Sequence, residues 1–267
     1  MLRWRRPLWW QEVAIIAFGY WLYTLGRDAI PEQASIALRH GRSIQHLQDI
    51  LHLNWELSIN QFFAAHEWLA QIIDYYYATL HFIVTPVVLV WLFVRRSHIY
   101  RGARTAIVAT SLIGLACFYL YPTAPPRLLH GFGYIDTVMK FHTWGSLADP
   151  NIAKESNQFA AMPSLHIAWS LWAGIAIFVC ARHLWLRILG LVYPVATLVV
   201  IVGSANHFIL DAVGGAIIVA LGFGVQYLLS GHGAFVAPMD APDFGMPEEP
   251  LPGQSRAETE RRASQQP

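Results

Sequence analysis

His207 and Asp211 stand four residues apart in Asn206-His207-Phe208-Ile209-Leu210-Asp211, and Asp211 is the only acidic residue between Gln158 and Met239. Four residues is about one helical turn, so on a helix the imidazole and the carboxylate share a face and reach each other. A carboxylate so placed fixes the imidazole tautomer and stabilises its cation, as the orienting acid of a catalytic triad does. The plain alternative is a histidine–carboxylate pair at a helix end that only satisfies itself. A second cluster is Ala161-Met162-Pro163-Ser164-Leu165-His166. Pro and Ser ahead of an apolar run mark a helix start. Free N–H groups there attract anions, Ser164 adds a hydroxyl, and His166 falls in the first turn. The third is Tyr121-Pro122-Thr123-Ala124-Pro125-Pro126-Arg127, where prolines stiffen the chain and present one guanidinium whose planar fork suits a phosphate. Each of these two also has a bland reading, as an interfacial cap with a solvated histidine and as an arginine snorkelling to the membrane surface.

Composition identifies the scaffold that must bring these residues together. Of 267 residues, 55% are hydrophobic and 13% charged, against about a quarter charged in a soluble domain. The apolar residues gather into six stretches long enough to cross a bilayer, at 10–27, 71–94, 103–121, 164–181, 184–203 and 207–229. The expected fold is all-α, a polytopic membrane helical bundle of about six transmembrane helices. It divides into an N-terminal transmembrane helix (1–30), an outer amphipathic segment (31–70), a transmembrane core (71–230) and a tail (231–267). In the outer segment Ile44, Leu47, Ile50 and Leu51 recur at helical spacing. The tail is rich in Pro, Gln, Glu and Arg, a composition that predicts disorder.

The basic and apolar residues at the start run on through Gly26-Arg27-Asp28 without a small-x-small cleavage site, so they read as a retained span. Three arginine clusters fall on one side of a six-span layout: Arg3, Arg5 and Arg6; Arg95, Arg96, Arg101 and Arg104; Arg182 and Arg187. The positive-inside rule makes that side cytoplasmic, together with both termini, in a plasma-membrane protein. Cys117 and Cys180 have neither disulfide nor metal spacing. No basic cluster is interleaved with exposed aromatics, which argues against a nucleic-acid partner, and no obligate protein partner is evident. Tyr75, Tyr76 and Tyr77 read as an aromatic interface belt, with His81 a secondary candidate for lining a site.

The orientation rests on loop arginines alone, yet it carries Arg127, His166 and His207 to the same outer face. In order and spacing, Pro126-Arg127, Pro163-Ser164-Leu165-His166 and His207-Phe208-Ile209-Leu210-Asp211 resemble the type-2 phosphatidic acid phosphatase superfamily of integral membrane enzymes. The resemblance covers roughly residues 40 to 228 in span layout. Ala124-Pro125-Pro126-Arg127, Ala160-Ala161-Met162-Pro163-Ser164-Leu165-His166 and Asn206-His207 look like its inositolphosphotransferase branch, which includes fungal inositol phosphorylceramide synthase. Gly131 to Thr137 and Asn157-Gln158 resemble actinobacterial members of that branch.

The resemblance implies a two-step transfer on a membrane lipid substrate, with no cofactor and no metal. His207 attacks phosphorus, Asp211 orients it, and His166 protonates the leaving alcohol before deprotonating the acceptor. Arg127, Ser164 and the start of the fourth span hold the equatorial oxygens, with Asn206 as a further phosphate ligand. Water as acceptor makes a phosphatase; a polyol such as inositol, or a lipid alcohol, makes a transferase. Two superfamily cations are absent, since Leu120 stands seven residues before Arg127 and Ile201 six before His207. Lys140, Lys154, Arg42 and Asn206 are the candidates to compensate. Two other classes fit the same residues. One is a transporter using His207 and Asp211 as a proton relay, with Gly214, Gly215, Gly222 and Gly224 allowing close helix contacts. The other is a catalytically inactive relative.

Overall fold

A computed structural model describes residues 8–28, 34–53, 55–143 and 158–237 of the chain. Arg3, Arg5, Arg6, Lys154, Asn157 and the tail from 238 onward lie outside the described residues. The described chain is helical: α1 (Trp9–Asp28), α2 (Ala34–Ile50), α3 (Glu56–Ala64), α4 (Glu67–Arg95), α5 (Ser97–Leu120), a 3-10 turn (Pro126–Leu128), α6 (Thr137–Phe141), α7 (Leu165–Cys180), α8 (Leu184–Gly203) and α9 (Ile209–Ser230).

By length and composition α4, α5, α8 and α9 can each cross a membrane. Helix α7 is as apolar but has only 16 residues. Helix α1 has a span's length, 20 residues, but carries Gln11 and Glu12 and is not among the four. The protein is an all-helical membrane bundle. Helix α5 begins at Ser97 rather than at 103 because its first turns also pack inward, through Ile99, Tyr100 and Gly102; within it Arg104 pairs with Glu12, which α1 buries against α5.

The spans are held by close main-chain approach as well as by apolar packing. Helices α7 and α8 form a hairpin in which Gly174 and Gly190 face each other, and a Cβ on either would run into the other's carbonyl. At one end of the bundle a core of Leu92, Tyr100, Ala103, Ala106, Trp172, Ala173 and Ala176 joins α4, α5 and α7. Its polar atoms are few and local, such as Trp172 Nε1 donating to the Ala103 carbonyl at 3.0 Å and Arg96 Nη2 donating to that of Cys180 at 2.9 Å.

At the opposite end α2 and α3 pack over the bundle. The inward face of α2 is Ala37, Gly41, Ile44, Gln45 and Gln48. Of the four apolar residues expected to form one stripe, only Ile44 is buried, while Leu47, Ile50 and Leu51 are exposed. Polar Gln45 and Gln48 take inward positions where Gln45 bonds Asp49 and Tyr134 and Gln48 Oε1 accepts the Leu210 N–H, and a bonded polar group is cheaper to bury than an unbonded one. Ala37, Ile44, Ala124, Leu129 and Phe208 form a small core that fastens α2 to the Arg127 segment and to the start of α9.

Candidate active site

Helix α8 stops at Gly203 and the chain turns through Ser204-Ala205-Asn206, with Ala205 in the left-handed region at φ 53°, which a side-chain Cβ disfavours. The N–H groups of Asn206 and His207 both donate to the Ile201 carbonyl, at 3.1 and 3.2 Å. This turn delivers His207 just ahead of α9, which begins at Ile209 rather than at 207. The expected histidine–carboxylate pair is therefore made, but across a helix start and not along one helical face.

His207 Nδ1 lies 2.8 Å from the Ala161 carbonyl oxygen and 3.4 Å from Asp211 Oδ2. Asp211 Oδ2 also accepts the Phe208 N–H at 2.9 Å. A carbonyl only accepts, so Nδ1 carries the hydrogen of the neutral ring and the lone pair resides on Nε2. That Nε2 is buried, with no hydrogen-bond partner among the described residues. An oriented imidazole with its far nitrogen uncommitted is what nucleophilic or general-base chemistry requires.

Ser164 caps α7, its Oγ accepting the Ile167 N–H at 3.4 Å. Its own N–H donates to the Asp211 carbonyl at 2.9 Å and so stitches the starts of α7 and α9 together. Gly215 permits this approach, since a Cβ there would come within 2.5 Å of the Ser164 carbonyl oxygen. His166, next in α7, has its ring centre 5.4 Å from that of His207. Tyr77 stacks on it at 4.1 Å with 20° between planes, and His81 meets it edge-on at 4.4 Å. Tyr77 is thus a wall of the site rather than part of a belt, and Tyr76 bonds α8 through Thr197 Oγ1 at 2.9 Å.

The Arg127 segment is held on both flanks. Thr123 N–H donates to the Phe159 carbonyl at 2.7 Å and Ala161 N–H to the Thr123 carbonyl at 3.1 Å, while Ala124 N–H reaches the Ala37 carbonyl of α2 at 3.0 Å. Arg127 N–H then donates to the Ala205 carbonyl at 3.0 Å, and Nε donates to Asn206 Oδ1 at 2.9 Å, with Asp136 Oδ2 3.7 Å away. Arg127 is therefore bonded to the two residues that precede His207. Asn206 grips the arginine, its Nδ2 donating to Ser204 Oγ at 2.9 Å.

Leu120 is exposed at the end of α5, and Ile201 is fully buried in a cluster with Ile167, Val202 and Ala212. Lys140 is drawn to the end of α3, where its Nζ donates to the Ala64 carbonyl at 2.7 Å. Arg42 is exposed on α2.

A family model described as the PAP2 superfamily matches residues 42–225, more than half of the chain. The chain belongs to the PAP2 superfamily. No curated protein and no solved structure matches it. The matched region runs from α2 into α9 and contains Arg127, Ser164, His166, Asn206, His207 and Asp211. Membership of the PAP2 superfamily supports phosphatase-type chemistry on phosphate esters.

All six residues singled out from the sequence converge at this end of the PAP2 bundle. Four contributors were less visible. Tyr77 and His81 are one turn apart on α4, a spacing that could have paired them as one wall. The Ala161 carbonyl has no residue-type signal at all. Glu56 sits in α3, 1% exposed, and its carboxylate accepts the Ile209 N–H of α9. Burial pushes its carboxyl up to about 7, with the Asp211 charge adding to the rise. Glu56 in turn helps to push the Tyr134 phenol above its ordinary value, after burial.

Proposed function

We propose that the protein is an integral membrane phosphatase or phosphotransferase that acts on a lipid phosphate ester through a phosphohistidine at His207. The observation that carries this reading is the His207 ring, whose Nδ1 is committed to Ala161 and Asp211 while its buried Nε2 has no hydrogen-bond partner among the described residues. In the first step Nε2 bonds to phosphorus as the bond to the leaving oxygen breaks, and His166 gives that oxygen its proton. In the second, His166 takes a proton from the acceptor hydroxyl, whose oxygen displaces His207. Asp211 offsets the charge that develops on the His207 ring. Arg127 and Ser164 bind the equatorial oxygens, and Asn206 serves phosphate binding by aiming the guanidinium through its Oδ1.

The acceptor is water, or a polyol or lipid alcohol; transfer of an inositol phosphate head group is the finer version, in keeping with the inositolphosphotransferase-like sequence elements. The site faces outward at the plasma membrane with both termini cytoplasmic, supported by Arg95, Arg96, Arg182 and Arg187 in or beside the turns α4–α5 and α7–α8 and by Arg101 and Arg104 in the first turns of α5.

Purified protein and a His207→Ala variant, given lipid phosphates and phosphatidylinositol with and without inositol or a lipid alcohol, test the reaction. Phosphate release lost in the variant supports a phosphatase, and head-group transfer lost in the variant supports a transferase. No difference between the two proteins refutes the reading. Labelling of a cysteine placed near Lys140 tests orientation, which is wrong if reagent reaches it only from the cytoplasmic side.

A further inference from the structure

The first turn of α9 is capped by side chains from the segment that packs over the bundle. Its leading N–H groups have no partner within the helix and must find one elsewhere. Phe208 N–H goes to Asp211 of the same turn. The next two are taken from outside: Ile209 N–H donates to Glu56 Oε1 at 2.5 Å and Leu210 N–H to Gln48 Oε1 at 3.1 Å. Both acceptors are buried, at 1% and 0% exposure. These bonds span more than 150 residues of sequence, |i−j| being 153 and 162. They meet the helix between His207 and Asp211, the two residues whose mutual placement the site depends on.

We propose that Glu56 is a positioning residue of the active site, holding the start of α9 so that the His207 ring keeps its place beside His166, and adding negative charge behind the His207–Asp211 pair when ionised. The inference rests on the phosphohistidine reading. A carboxylate at a helix N-terminus is favourably placed for the dipole and accepts a charge-assisted bond from Ile209. A negative charge close to Asp211 also favours the positive charge that His207 acquires when Nε2 bonds to phosphorus.

The groups facing Glu56 are few. Asp211 comes from α9, Tyr134 from the loop before α6, and Gln48 from α2, while Asp49 acts on Tyr134 and its side chain accepts from Gln45. Tyr134 OH donates to Gln45 Oε1 at 2.9 Å. None of these brings a cation to Glu56, in keeping with a carboxyl that titrates at about 7.

Glu56→Gln keeps an acceptor for Ile209 N–H but cannot ionise, whereas Glu56→Ala removes the acceptor. With full-length protein in detergent and dioctanoyl phosphatidic acid as probe, Glu56→Ala is expected to lower kcat by about ten- to a hundredfold with KM changed less than about threefold. Glu56→Gln restores most of that loss at low pH. Its kcat lacks the rise through about pH 7 that the wild type shows as Glu56 ionises. Amide hydrogen exchange over residues 207–212 is measured in the same three proteins and is expected to speed up in Glu56→Ala alone.

Superimposable pH profiles of wild type and Glu56→Gln, or equal exchange in all three proteins, overturn the proposal. A wild type inactive on every phosphate ester, with exchange still faster in Glu56→Ala, leaves the hold on α9 standing and refutes the phosphohistidine reading instead.

Discussion

The two ends of the bundle are built by different means. Around Trp172, Tyr100 and Leu92 the helices meet through large buried apolar groups and small residues, with a handful of polar bonds. Around His207 the bundle, with α2 and α3 packed over it, is joined by directional bonds, many of them to main-chain groups. Glu56 and Gln48 take amides of α9, and Asn60 Nδ2 donates to the Ile135 and Gly203 carbonyls at 3.0 and 2.8 Å. Asp74 accepts from Thr137 and Thr143 at 2.6 and 2.8 Å. Apolar packing is strong but tolerant of small shifts, whereas a hydrogen bond is spoiled by a fraction of an ångström or a modest rotation. The apolar end supplies stability and the polar end supplies aim.

That division can be broken from either side. The largest effect should come from His207→Ala, which removes the reacting nitrogen. Turnover is expected to fall by about four orders of magnitude or more, while thermal unfolding in detergent moves little. Trp172→Ala should do the reverse. It costs about 3–5 kcal/mol of stability and leaves kcat per folded molecule unchanged, measured by unfolding and by active-site titration. A Trp172 variant that folds normally yet loses kcat would erase the distinction.

Arg127→Ala comes next, with kcat/KM expected to drop by about a hundred- to a thousandfold. Asn206→Ala should lose about tenfold, because the guanidinium remains but is no longer held. Equal losses would mean that Asn206 binds phosphate as strongly as Arg127 does. Tyr77 sharpens the comparison further. Tyr77→Phe keeps the stack on His166 and should stay within about twofold of wild type, while Tyr77→Ala should lower kcat by about tenfold.

The smallest effect is on stability, and its sign is set by Glu56. Its carboxyl titrates at about 7 in the fold against 4.5 ordinarily, so between those values the folded protein keeps a proton that the unfolded chain has released. Its stabilising contribution is full below about 4.5 and is lost as pH rises through about 7. Thermal stability of the wild type should therefore decline relative to Glu56→Gln across that window.

Much of this was legible in the sequence. The apolar runs gave α8 at 184–203 and placed α4, α7 and α9 to within a few residues, whereas α5 starts at Ser97 instead of at 103. The pairing of His207 with Asp211 and the helix start at Ser164 followed from residue type and spacing. What stayed hidden depends on contacts between distant segments. A carbonyl such as that of Ala161 has no signature, and nothing in Ser204-Ala205-Asn206 announces that Ala205 takes a left-handed turn. The inward face of α2 stayed hidden for a related reason. Gln45 and Gln48 look like solvent residues until their partners, Asp49, Tyr134 and Leu210, are brought beside them.

The central claim is that His207 Nε2 becomes bonded to phosphorus. Rapid quenching of the wild type with a radiolabelled lipid phosphate, followed by peptide mapping, tests it directly. The account predicts an acid-labile, base-stable phosphate on the peptide carrying His207, formed as fast as turnover or faster and absent from His207→Ala. Turnover without any labelled protein, or label that persists in His207→Ala, would contradict it.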